Sequence, residues 1–144
     1  MSAAIDVNVL LYASDTASSF HRRAAEFLAE RAKGPDILYV AWSTVMGYLR
    51  ISTHPAIFAS PLRPEEAVRN AEALLRVPHV RTLAEQDGFW DLYRDVTRTV
   101  PARGNDVPDA HLATLLRQHG VATLYTNDRD FRKFDFLKVH DPFE

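Results

Sequence analysis

Apolar and polar positions switch along this chain between a two-residue and a 3.6-residue period. Residues 3–13 are dominated by Val, Ile, Leu and Ala and predict a first strand, followed by a polar stretch at residues 14–19. Residues 20–33 change to a helical period, with Phe20, Ala24, Phe27, Leu28 and the aliphatic stem of Arg31 on one face. Ser18 or Ser19 caps its start and Gly34-Pro35 stops it. Residues 36–40 predict a second short strand. Residues 42–51 form a helix with Ser43 as N-cap, ended at His54-Pro55 because a residue preceding proline is disfavoured in the helical region. Pro64-Glu65-Glu66 opens a helix that runs to Leu75, since proline fits the first turn and acids favour the dipole there. Residues 79–83 predict a third strand, and residues 84–97 a helix with Phe89, Trp90, Leu92, Tyr93 and Val96 at its apolar positions. Residues 108–119 read as a helix closed by Gly120, 121–126 as a strand, 128–134 as one or two helical turns, and Lys138–His140 as a last strand. Strands alternating with helices predict an α/β layer fold with a mostly parallel sheet.

The chain has 144 residues, 47% of them apolar, which suits one domain over residues 1–144 with a sizeable core. It contains no cysteine, so disulfides, thiolate nucleophiles and cysteine-ligated zinc are excluded. No basic segment precedes a hydrophobic run of signal-peptide length, and no apolar run approaches the ~20 residues of a membrane span, so the expected location is the cytoplasm, without a membrane partner. A net charge of -2 with a pI near 6.3 lacks the overall basicity that advertises nucleic-acid binding. Any contact with phosphates would come from local arginines, among them Arg22-Arg23, Arg98, Arg103, Arg129 and Arg132.

Against this background the acids at the two ends of the chain stand out. Asp6 lies inside the apolar run Ala3-Ala4-Ile5-Asp6-Val7-Asn8-Val9. As part of a strand it would share one face with Asn8. Strands disfavour aspartate, and an unpaired buried carboxylate forfeits several kcal/mol of hydration, so neutralisation or a cation is expected. Asp128 follows the strand 121–126 by two residues and emerges at its carboxyl edge, where open parallel sheets place their ligand crevice. Asp109, in the first turn of the helix 108–119, is followed at i+3, i+4 and i+7 by Leu112, Ala113 and Leu116, and therefore ends a buried stripe. Capping accounts for some of these acids equally well: Asp106 as N-cap with Asp109 at the third helical position, and Asp128 or Asp130 at the start of a short helix. An oxygen-rich pocket of three or four aspartates suits Mg²⁺ or Mn²⁺, and the matching chemistry is phosphodiester hydrolysis.

Other chemistries lack their signatures. The histidines fall at element ends or at spacings that do not form a metal pair, no Gly-x-Ser-x-Gly frames a serine, and no Gly-rich loop cradles a phosphate. Trp42, Trp90 and the phenylalanines recur at helical spacing and read as core or interface.

On these residues the chain resembles the PIN-domain ribonucleases and, within them, the VapC toxins of bacterial toxin-antitoxin pairs. The matching pieces are Ile5-Asp6-Val7-Asn8-Val9-Leu10-Leu11, residues 42–55, Pro108-Asp109-Ala110-His111-Leu112-Ala113 and Thr126-Asn127-Asp128-Arg129-Asp130-Phe131, in the right order across nearly the whole chain. Residues 42–55 and 136–143 are most similar to the mycobacterial branch. The resemblance implies a three-layer α/β/α fold, Mg²⁺- or Mn²⁺-dependent cleavage of RNA, and a homodimer inhibited by a cognate VapB-type antitoxin. It implies Asp6 and Asp109 as principal metal ligands and catalytic acids, with Asp128 as the third, directly or through water. Asp130 is a supporting group, and Asn8 orients ligands through its amide. The family usually carries a glutamate on the helix after the second strand, and Gly47 stands at that position here. One metal is therefore expected, with Asp106 or Asp130 as candidates to compensate. Two other readings compete: a degenerate domain of the same fold that binds RNA or a partner without cleavage, and a phosphoacceptor receiver domain. The receiver is disfavoured because no lysine follows a late strand where phosphoaspartate needs one.

Overall fold

In the computed structural model, which describes residues 2–144, the first apolar run breaks at Asp6. Strand β1 is only Ala3–Ile5, and helix α1 begins directly after it at Val7–Ser14. The expected strand over residues 3–13 is thus corrected. Ile5-Asp6-Val7-Asn8-Val9 alternates as a strand would, but the apolar residues between 7 and 13 fit a buried helix as well. Asp6 decides between them by taking the N-cap, its carboxylate accepting from the Val7 N–H. Asp6 and Asn8 therefore sit at a strand-to-helix junction and do not share a strand face.

The remaining elements follow in order: α2 His21–Ala32, β2 Leu38–Ala41, α3 Trp42–Ser52, α4 Pro64–Leu75, β3 Val80–Leu83, α5 Phe89–Thr99, α6 Asp106–Gln118, β4 Thr123–Tyr125, a 3₁₀ helix Arg129–Lys133, and β5 Lys138–His140. Four further expectations are corrected. Neither Ser18 nor Ser19 caps α2, because the cap position falls on Phe20, which makes no side-chain bond. Ser43 is not an N-cap, because β2 passes into α3 without a linker and Ala41 takes the cap position with no side-chain bond. Helix α5 starts at Phe89, since the Gln118 amide holds the preceding segment through Gln86 and Asp87, and Gly88 turns the chain at φ 86°. Asp106 is the first helical residue of α6, not its cap, and Asp109 accordingly stands at the fourth.

All five strands are parallel, in the order β3-β2-β1-β4-β5. Alternation along the strands divides the core in two. Ala4, Ala41, Leu83 and Leu124 pack against α5, α6 and the 3₁₀ helix, with Ala113, Leu116, Phe131 and Phe134 buried there. Ile5, Leu38, Val40 and Val80 pack on the other side against α1, α3 and α4 through Leu10, Val45, Tyr48 and Ala67. The outcome is the three-layer α/β/α architecture. Among the described residues no helix is long and apolar enough to cross a membrane.

At one loop only glycine fits for two reasons at once. Gly34 has φ 72°, and a Cβ there would run into the His79 imidazole. Gly34→Ala is expected to lower the unfolding free energy by about 2 kcal/mol, from backbone strain and the clash together. Urea titration checks this; an unchanged midpoint would contradict it.

Candidate metal and phosphate site

The winding of the sheet reverses at β1, from which the chain passes outward to β2 and β3 on one side and to β4 and β5 on the other. The carboxyl ends of β1 and β4 thus flank a switch point, the place where open α/β sheets form a crevice. Asp6 leaves β1 there and Asp128 lies just past β4, while the first turn of α6 brings in Asp109. These three acids line one cleft of about 370 Å³ together with Asn8, Gly47 and Arg50. Carboxylate oxygens of Asp109, Asp128 and Asp130 all lie within 4.8 Å of one another.

Asp6 is the deepest of the acids, only 8% exposed, and both its oxygens accept hydrogen bonds. Oδ1 accepts from the Val7 N–H at 2.7 Å and Oδ2 from the Thr126 hydroxyl at 2.8 Å. Its backbone N–H donates to the Tyr125 carbonyl at 3.0 Å, which ties the ends of β1 and β4 together. Burial raises the Asp6 pKa, the two hydrogen bonds hold it down, and the charge on Asp128 raises it again. Asp109 is pushed up to about 6, first by desolvation and then by the charges of Asp128 and Asp6, with Lys133 opposing and Asp130 adding. Carboxylates crowded this way favour anything that brings positive charge.

Thr126 is the residue that sequence reasoning missed. Its hydroxyl donates to Asp6 Oδ2 and accepts from Asn8 Nδ2 and the Asp128 N–H, both at 3.0 Å, which fills its capacity of one donor and two acceptors. Asn8 is thereby joined to the acids indirectly, and its Oδ1 faces the Asn127 N–H at 3.4 Å. The available signal was its place, a hydroxyl at the last position of an apolar strand and next to Asn127-Asp128. Asp128 also caps the 3₁₀ helix by accepting from the Asp130 N–H at 2.9 Å, so capping and membership of the acidic cluster coexist. Asp106 is not part of the cleft lining; it pairs with Lys133 at 3.2 Å.

Helix α3 presents Gly47 and Arg50 to the same cleft. Among the described residues Arg50 makes no ion pair, which leaves its guanidinium available to an anion. A Cβ at Gly47 would meet only Val7 Cγ2, at an ordinary 3.6 Å. Gly47→Ala is therefore expected to raise stability by about 0.5–1 kcal/mol, the usual gain inside a helix. Thermal unfolding tests this, and a lowered Tm would mean that the glycine serves a tight approach after all.

The PIN domain family matches residues 3–137 of the chain. Ribonuclease VapC48 of Mycobacterium tuberculosis is 48% identical over 143 residues, 99% of each chain. Among solved structures, the VapBC2 complex of Rickettsia felis bound to a DNA fragment from its promoter superposes with a TM-score of 0.68 at 14% identity, covering 97% of this chain and 98% of that one. VapC20 of Mycobacterium tuberculosis, described as a sarcin-ricin loop cleaving toxin, gives 0.64 at 17% identity over 91% and 93%. The structural likenesses support the fold, and the full-length sequence similarity settles the lineage. The chain belongs to the PIN domain family and, within it, to the VapC proteins.

Proposed function

We propose that this protein is an endoribonuclease that hydrolyses RNA phosphodiester bonds with Mg²⁺ or Mn²⁺ and acts as the toxin of a toxin-antitoxin pair. The observation that carries the reading is the convergence of Asp6, Asp109 and Asp128 on one cleft, in a chain 48% identical over its length to a ribonuclease. The donor set fits a hard divalent ion, because it is all oxygen, and desolvation together with the neighbouring carboxylates already raises Asp109. Asp109 and Asp128 would hold the ion with Asp130 in reach of both, and Asp6, outside that 4.8 Å group but lining the same cleft, would complete the set. When bound, the ion supplies positive charge at the scissile phosphate and a more acidic water. Thr126 and Asn8 keep the Asp6 carboxylate in one orientation, and Arg50 is positioned for a phosphate of the same strand.

Gly47, at the usual glutamate position, favours one metal over a symmetric pair, and it also motivates the degenerate, binding-only reading. Purified protein incubated with RNA, with and without Mg²⁺ or Mn²⁺, separates the two. Cleavage that appears with the ion and disappears in a chelator is the expected result; binding without turnover over hours would establish the degenerate domain.

We infer further that residues 1–144 act as one nuclease domain, as a homodimer in the cytoplasm, and that a VapB-type antitoxin restrains it. The likeness to VapBC complexes supports the antitoxin. Co-purification with the product of an adjacent small reading frame tests that part.

A further inference from the structure

We propose that Phe89, Trp90 and Tyr93 form a nucleobase-stacking shelf beside the acidic cleft, so that the enzyme takes an unpaired stretch of RNA with one base seated on Trp90. The inference rests on the ribonuclease reading above and names how its substrate is gripped. Trp90 is 68% exposed, so of the core or interface placement expected from helical spacing the core is excluded. It stacks on Tyr93 at 5.8 Å between ring centroids with planes 18° apart, and Tyr93 in turn stacks on Phe89 at 6.3 Å and 26°. One face of the indole is thus supported from within. Phe89 meets the His111 ring edge-on at 5.5 Å, and the Glu85 carboxylate is bonded to His111 Nε2. The floor of the shelf is therefore tied down before any ligand arrives.

The shelf is a shallow hollow of about 270 Å³, closed on one side by Val107, Pro108 and His111. Pro108 and His111 also line the acidic cleft, and Pro108 precedes Asp109 directly, so shelf and cleft are continuous across the first turn of α6. Charge explains why stacking is needed. The chain carries a net -2, and the arginines of α5 are each matched by an acid, Arg94 with Asp91 and Arg98 with Asp95. Helix α5 consequently offers a polyanion little net charge; what it offers is aromatic surface. Stacking accepts any base, since every base has a π face, and bases already stacked inside a duplex cannot supply one. A strand with one base on Trp90 would pass over Pro108 and His111 into the cleft that the acids and Arg50 line.

The test uses the full chain with Mg²⁺ and a short single-stranded RNA. Trp90→Ala is expected to raise KM about tenfold with kcat changed less than about threefold, and Trp90→Phe to recover most of the loss. The KM ratio should be the same at low and moderate salt, because stacking releases no counterions. A blunt RNA duplex of the same sequence should not compete. An unchanged KM in Trp90→Ala, with cleavage intact, overturns the shelf and leaves the nuclease reading standing. Should the wild type fail to cleave at all, that reading falls instead, and the shelf is judged in Asp6→Asn by the quenching of tryptophan fluorescence by the same RNA. Quenching that is lost on adding Trp90→Phe supports it, and none overturns it. If Trp90→Ala turns a dimer into a monomer in sedimentation and its KM follows the monomer fraction, the aromatic face is a protein interface and the proposal is wrong.

Discussion

Asp109→Asn is expected to slow RNA cleavage by at least about a thousandfold and, in the absence of metal, to make the protein more stable at pH 7. The first effect follows from the loss of a carboxylate whose oxygen lies within 4.8 Å of those of Asp128 and Asp130. An amide keeps the shape but not the charge that would hold a divalent ion, and transition-state charge stabilisation by such an ion is worth several kcal/mol. The second effect has the opposite sign, because the site is built against its own electrostatics. Between the ordinary 3.8 and about 6 the folded chain retains a proton that the unfolded chain has released. Stability therefore falls as pH rises through that window, and the full penalty is present at pH 7. Because the carboxyl is only half buried, solvent screening reduces the penalty to about 1 kcal/mol.

Thermal unfolding in chelator at pH 5 and pH 7 reads this directly. Wild type should lose stability between the two, and Asp109→Asn should lose less. Added Mn²⁺ should stabilise wild type and leave the variant unmoved. A variant that cleaves within tenfold of wild type, or that melts lower at pH 7, would remove Asp109 from the role given to it.

Thr126→Val should cost about 2–3 kcal/mol of stability and reduce cleavage by about a hundredfold although no acid is touched. Valine has nearly the same shape, so the core around this fully buried position keeps its packing. What disappears is one hydroxyl with three partners: Asp6 Oδ2 loses a donor, while Asn8 Nδ2 and the Asp128 N–H lose an acceptor. The Asp6 carboxylate is then left with the Val7 N–H alone in a desolvated place, and its already raised pKa moves further up. A raised acid pKa gives stability that is present at low pH and lost as pH rises, so the deficit of Thr126→Val should be larger at pH 7 than at pH 5. Thr126→Ser keeps the hydroxyl and separates the two explanations. It should restore most cleavage while paying about 1 kcal/mol for the missing methyl. If Ser and Val behave alike, packing rather than hydrogen bonding explains the position.

The parts of the fold that could be read from the chain are those announced by local chemistry. Helix α4 begins and ends where Pro64, Glu65 and Glu66 and the apolar period place it, and β5 was legible as Lys138–His140. Errors came where two local solutions have similar appearance. Residues 3–13 are apolar apart from Asp6 and Asn8, a composition that satisfies a buried strand and a buried helix alike, and the break comes from a bond between Asp6 and the adjacent N–H. Ser43 and Asp106 are good caps by composition, but β2 enters α3 with no room for one, and Asp106 is drawn to Lys133. Trp90 occupies a helical position suited to burial and is left outside because α5 turns its buried stripe, including Val96, toward α6.

The acids themselves were legible because each sits at an odd place in its own neighbourhood: Asp6 among apolar residues, Asp109 at the end of a buried stripe, Asp128 just past a strand. Their meeting was not. More than a hundred residues separate Asp6 from Asp128, and the local pattern of strands and helices is compatible with several strand orders. Asp6 and Asp128 become neighbours because β4 pairs with β1 on the side that β2 leaves free. That choice depends on which apolar faces bury together across the whole chain, and it also creates the desolvation and like-charge crowding that raise Asp109. Residue chemistry is local and can be read along the chain; proximity and the electric field it produces arise only when distant segments are packed against one another.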